Sequence, residues 1–257
     1  SLRENHYFYV DKTDFIRQWW ESGDDITLII RPIRFGKTLN MSMLNCFFSR
    51  QYAEKGTIFE GLSIWKQEKY RRLQGTYPVI FLSFADVKQN NYQDAVQKIK
   101  NIIVDAYRQH RYLEQEECFT QNEKQQMLEI TEKMSDVTAQ DALKNLSSYL
   151  NLLYGKKVLI FLDEYDTPMQ EAYIHGYWDE FAGFMRSLFN ATFKTNPYLE
   201  RAVMTGITRI SKESVFSDLN NLTVITTTSD AYADCFGFTE EEVGQLVCPD
   251  ARGDKAS

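Results

Sequence analysis

The stretch from Ile26 to Phe47 constrains the fold more than any other part of the sequence. Ile26-Thr27-Leu28-Ile29-Ile30 is an apolar run of strand length, and Leu39, Met43, Leu44 and Phe47 recur at helical spacing after it. Only Arg31-Pro32-Ile33-Arg34-Phe35-Gly36-Lys37-Thr38 separates the two. A buried strand that runs through so short a loop into a helix belongs to a sheet covered by helices. The loop carries Gly-Lys-Thr where the helix begins. Free N–H groups at a helix start attract an anion, and a lysine there reaches its outer oxygens. The unit therefore reads as a phosphate loop, with the amides from Arg34 through Phe35, Gly36 and Lys37 to Thr38 as the cradle. Lys37 supplies the cation, and the Thr38 hydroxyl is a candidate ligand for Mg²⁺. Where the usual pattern opens with glycine stands Arg31, followed by Pro32, which has no N–H to give. Arg31 is thus expected to adopt the backbone conformation that glycine reaches at little cost. For Arg34 two readings stay open, a charge beside the phosphates or a solvated loop residue.

Four further apolar runs read as strands: Tyr77 to Phe84, Lys157 to Leu162, Leu199 to Met204 and Leu222 to Thr227. Helices are expected from Asp11, taken as an N-cap, to a stop at Ser22-Gly23-Asp24, and from Tyr92 to Tyr107. Others are expected over Glu123 to Met134, Gln140 to Tyr154 with Gly155 ending it, and Tyr177 to Phe193. Strands alternating with helices predict an α/β three-layer sandwich, a mostly parallel five-stranded sheet flanked by helices.

The run Lys157 to Leu162 closes on Asp163-Glu164, and ligands bind outside that edge of an open parallel sheet. Asp163 is a candidate for holding Mg²⁺, and Glu164 for accepting a proton from the water that attacks a terminal phosphate. Asp166, before Thr167-Pro168, is expected to cap a helix. After the fourth strand come Thr205-Gly206-Ile207-Thr208-Arg209. Thr205 or Thr208 is a candidate to meet the same phosphate and Arg209 to stabilise charge on it, with an ordinary loop role the open alternative for each.

Composition narrows the function classes. The chain has 257 residues, 14% of them aromatic, with 12 glycines and 5 prolines, which excludes collagen-like and linker-rich architectures. Its net charge of −7 speaks against a broad nucleic-acid-binding face. Cys46, Cys118, Cys235 and Cys248 show no metal-ligand spacing and are expected as buried, reduced thiols of a cytoplasmic protein. His6, His110 and His175 are isolated and read as structural. No run approaches the ~20 residues of a membrane helix. The chain begins at Ser1 with no signal-peptide pattern, so its native start is expected to lie elsewhere.

Several segments together resemble the bacterial AAA-ATPase-like family of P-loop ATPases. They are Tyr9-Val10-Asp11-Lys12-Thr13, Arg31 to Leu44, Phe161-Leu162-Asp163-Glu164-Tyr165-Asp166-Thr167-Pro168, Thr205 to Ile210, and Tyr232 to Thr239. The Arg-Pro-x-Arg-Phe-Gly-Lys-Thr loop looks like that family's own form of the phosphate loop. The resemblance implies an AAA-type ATP-binding domain over residues 1–247, with 248–257 an unassigned tail. Members often continue into a restriction-endonuclease-like domain, which is not expected within these 257 residues, and the usual helical lid is expected to be absent or cut short. Function is then expected as Mg²⁺-dependent ATP hydrolysis coupled to a protein partner or effector domain, homo-oligomers included. The alternative is a nucleotide-dependent switch with negligible turnover.

Overall fold

A computed structural model describes residues 10–210, 215–216 and 219–247. Tyr7 to Tyr9, His6 and the tail from Cys248 lie outside the described residues. The strands are β1 (Ile26–Ile30), β2 (Val79–Ser83), β3 (Val158–Asp163), β4 (Leu199–Gly206) and β5 (Leu222–Ile225). All neighbouring pairs are parallel, in the order β2-β3-β4-β1-β5. Nine α-helices are described: α1 (Asp14–Ser22), α2 (Lys37–Phe48), α3 (Glu68–Arg71), α4 (Tyr92–Gln109), α5 (Gln121–Leu128), α6 (Asp136–Tyr154), α7 (Thr167–His175), α8 (Trp178–Phe189) and α9 (Glu240–Val247).

Strand side chains alternate between two cores, so each strand is apolar on both faces. Leu28, Ile80, Ile160, Leu162 and Met204 face a core completed by α4, α6, α7 and α8. Ile29, Val79, Leu159, Phe161 and Val203 face the other, filled by α1 and α2. There Trp19 is fully buried, its ring edge-on to Phe48 and Phe161, with centroids 5.6 and 5.8 Å away. Its Nε1 donates to Thr27 Oγ1 at 3.2 Å, which satisfies the one polar atom brought inside. Both faces being covered, polar chemistry is left to the strand ends.

Several sequence expectations need correction. Asp11 does not cap α1: the N-cap is Thr13, and the Asp11 carboxylate accepts from Thr13 N and Oγ1 and from Ser63 N and Oγ. The helix expected over Glu123 to Met134 ends at Leu128, and the one expected from Gln140 begins at Asp136, where the Ser135 side chain caps it. The helix expected after Asp166 is α7, which starts at Thr167 with Pro168 in its first turn and ends at His175. Leu39 does not join the core; it is 42% exposed, and the inward residues of α2 are Met41, Met43, Leu44, Phe47 and Phe48. Cys118 is exposed and Cys46 half-buried, so of the described cysteines only Cys235 is buried as expected. Burial pushes its thiol pKa up to about 12.

His110 is 4% exposed, with Nδ1 3.1 Å from the Tyr112 hydroxyl. Burial lowers its pKa to about 4, against a hydrogen bond to the Val79 backbone that acts the other way. The folded state thus takes up a proton less readily than the unfolded chain. Its contribution to stability is fully present above about pH 6.5 and is lost as the pH falls toward 4. Urea unfolding of wild type and His110→Asn at pH 7 and pH 4.5 should show the wild type losing roughly 2–3 kcal/mol more than the variant on acidification.

Candidate functional site

The β1 register sets the site. Ile30 pairs with Gly206 at the end of β4, and Arg31 N donates to Gly206 O at 3.1 Å. β4 lies between β1 and β3, so its end separates the loop after β1 from the acidic end of β3. Gly206 is required there, because a Cβ would stand 2.5 Å from Tyr165 Cε1 and 2.7 Å from Asp166 Oδ1.

The loop turns through two left-handed residues, Arg34 with φ 67° and Gly36 with φ 75°. Arg31 keeps a negative φ, so the strain expected at Arg31 sits at Arg34 instead. Gly36 is the N-cap of α2, and the helix ladder begins with Asn40 N donating to Gly36 O at 2.9 Å. The N–H groups of Lys37, Thr38 and Leu39 are left over at that helix start. Lys37 is 5% exposed, and its Nζ donates to Arg31 O and Pro32 O, both at 2.9 Å. Burial lowers its pKa, opposed by the charges of Glu164, Asp163 and Asp166. The ammonium therefore stands within electrostatic reach of all three carboxylates.

Asp163 ends β3 at 1% exposure, and hydroxyls hold both its oxygens. Thr38 Oγ1 donates to Oδ2 at 2.7 Å, across 125 residues of sequence, and Thr205 Oγ1 donates to Oδ1. Glu164 follows with φ 53°, half-buried; its N–H donates to Thr205 Oγ1 at 3.3 Å, and its Oε2 accepts from Thr167 Oγ1 at 3.2 Å. Asp166 occupies the N-cap position of α7, yet its side chain makes no cap bond, contrary to the sequence reading. Arg209 is exposed on the turn after β4, near enough for its charge to act on the Tyr165 phenol. Arg34 and Phe35 are exposed on the outer side of the loop.

Sequence reading missed what stands beside the loop. Arg31 is 4% exposed, its Cζ 5.6 Å from the centre of the Phe236 ring, and burial lowers its pKa. Asn40 Nδ2 donates to Cys235 O at 2.8 Å and Gly237 N to Phe35 O at 3.1 Å. These contacts seat residues 235–238 against the loop and form one side of an open cavity of about 200 Å³, lined by Lys12, Arg34, Phe35, Leu39 and Phe238 among others.

Among the described residues no helix is long and apolar enough to cross a membrane, and no group of three or more His, Cys, Asp or Glu side chains forms a metal cage. In Gly206→Ala the forced clash should lower stability by about 1–3 kcal/mol, read as a lower urea midpoint with unchanged slope.

Comparison with known proteins fits this arrangement. The family model described as "Predicted AAA-ATPase" matches residues 1–216. The "Uncharacterized protein in vnfD 5'region" of Azotobacter chroococcum mcd 1 is 27% identical over 255 residues, 98% of this chain and 44% of that protein. The chain therefore spans less than half the length of this relative. No solved structure matches the chain significantly. With the family model covering most of its length, the chain belongs to the AAA-ATPase-like family.

Proposed function

We propose that the chain binds ATP with Mg²⁺ at the C-terminal edge of its sheet and hydrolyses it. The observation that carries this reading is the 2.7 Å contact between Thr38 Oγ1 and Asp163 Oδ2, beside the buried ammonium of Lys37. Cation, hydroxyl and carboxylate, distant in sequence, converge where a helix start offers free N–H groups. The donor set fits Mg²⁺: one carboxylate and one hydroxyl are hard oxygen ligands, and the ion takes its remaining ligands from phosphates and water. When bound, it would neutralise charge between the outer phosphates.

In this reading the amides from Arg34 to Thr38 cradle the phosphates and Lys37 clamps their outer oxygens. Lys37 would exchange one or both loop carbonyls for phosphate oxygens, replacing a neutral acceptor with an anionic one. Glu164 orients the attacking water and takes its proton, and Arg209 faces charge developing on the terminal phosphate. The cavity beside Phe35, Leu39 and Phe238 gives the nucleobase an apolar seat next to the phosphates. Hydrolysis would be coupled to a protein partner, a further domain or a second copy of the chain.

A second reading, a nucleotide-dependent switch with negligible turnover, draws on the Glu164 carboxylate being engaged by Thr167. Sustained phosphate release by the wild type would exclude it.

Calorimetric titration with MgATP, MgADP and MgGTP should show Lys37→Ala weakening triphosphate binding by roughly tenfold or more. Unchanged affinity in that variant would end the proposal. Glu164→Gln should keep binding while phosphate release falls by a factor on the order of 10²–10⁴.

A further inference from the structure

Asp166 is fully buried, and the reading above gives it no task. Its Oδ2 accepts four hydrogen bonds: Ile207 N at 3.0 Å, Thr208 N at 2.7 Å, Thr208 Oγ1 at 2.8 Å and Gln170 Nε2 at 2.8 Å. Three of these donors belong to the turn that leaves β4. Its Oδ1 is buried with no partner among the described residues and faces Gly206, whose missing Cβ makes room for it. The preceding residue fastens the same turn: Tyr165 Oη donates to Thr208 O at 2.8 Å and accepts from Ile210 N at 3.2 Å. Two consecutive side chains from the exit of β3 therefore hold the exit of β4.

A backbone turn at a sheet edge can be closed by its own hydrogen bonds. Here a buried carboxylate closes it instead, a costly group to keep inside unless it is well bonded. The residue next along that turn is Arg209, a long exposed side chain whose base must be fixed if its tip is to be aimed. Misplacing a reacting group by about 1 Å can cost on the order of a hundredfold in rate.

We propose that Asp166 is a positioning residue, holding the Ile207–Arg209 turn so that Arg209 faces the terminal phosphate. This rests on the hydrolytic reading above. The helix-cap role is not its purpose, since no donor of the first turn of α7 reaches it by a cap bond.

The test compares steady-state phosphate release and calorimetric MgATP binding for the wild-type chain and five variants. Asp166→Ala should lower kcat roughly tenfold or more while the MgATP Kd stays within about threefold, a split that general unfolding does not produce. Asp166→Asn keeps an oxygen for the same donors and should recover most of that loss. Arg209→Ala should lose activity too, and adding Asp166→Ala to it should cost less than about threefold more. Thr208→Val removes one donor and leaves the carboxylate in place; it should show a smaller loss of kcat at unchanged Kd, and it serves if Asp166→Ala does not fold. Wild-type kcat in Asp166→Ala would overturn the inference. So would equal loss in Asp166→Asn, or full additivity with Arg209→Ala. A wild type that binds MgATP but releases no phosphate would sink the hydrolytic reading and this inference with it, whereas an active wild type that Asp166→Ala leaves intact overturns this inference alone.

Discussion

The arrangement depends on the grip of two threonine hydroxyls on the Asp163 carboxylate. Thr38 reaches it from the start of α2 and Thr205 from the end of β4, one on each oxygen. A carboxylate 1% exposed at the end of an apolar strand is tolerable only if hydrogen-bonded, and these hydroxyls meet that demand. They also add side-chain ties between three chain segments that strand pairing already sets side by side. Neither hydroxyl is bulky, and both can yield a lone pair to a cation in place of the bond they donate. The bonds that stabilise this edge are thus the ones a metal–phosphate group would rearrange.

This grip falls where it does because the sheet is parallel and covered on both sides. Every strand offers one row of apolar side chains to α1 and α2 and the other to α4, α6, α7 and α8. Polar groups are few along the buried strands, Thr27 being satisfied by Trp19, and the reactive ones collect at the ends. At the C-terminal end, the order β3-β4-β1 brings the acidic pair, the threonine-rich turn and the phosphate loop side by side. The chemistry is a consequence of strand order as much as of residue type.

Much of this was legible in the sequence. Every strand was visible as an apolar run, and the loop and acidic strand end stood out by residue type at the right places. What stayed hidden depended on contacts across the fold. Arg31 was expected to bear the strain of a missing glycine, but the turn shifts its left-handed residue to Arg34 and leaves Arg31 free to pack on Phe236. Leu39 fits an inward helical spacing, yet it lies at the open end of α2, where the first turn faces the site and not the core. Asp166 sits where a cap belongs, and only the pairing of β3 with β4 shows that three of its four donors come from the turn after β4.

The C-terminal segment extends the same logic. Residues 235–238 touch the loop through Asn40, Phe35 and Arg31, and α9 is tied back by Glu242, whose Oε1 lies 2.7 Å from Lys12 Nζ. Lys12 Nζ also donates to Asp234 O at 2.6 Å, so the chain just before α1 and the chain just before α9 meet at one ammonium. Glu242 further accepts from Thr239 N at 2.8 Å, which fixes the start of α9. The segment is therefore held by a few polar contacts at its rim and by aromatic packing of Phe236 and Tyr232 on Phe15. Phe238, 63% exposed, is not part of that packing. An anchored strap with one outward aromatic at its end can shift that side chain without disturbing the core. The wall of the cavity beside the loop thus ends in its most exposed aromatic, whereas Asp163 and Asp166 lie outside that cavity, each held by several hydrogen bonds.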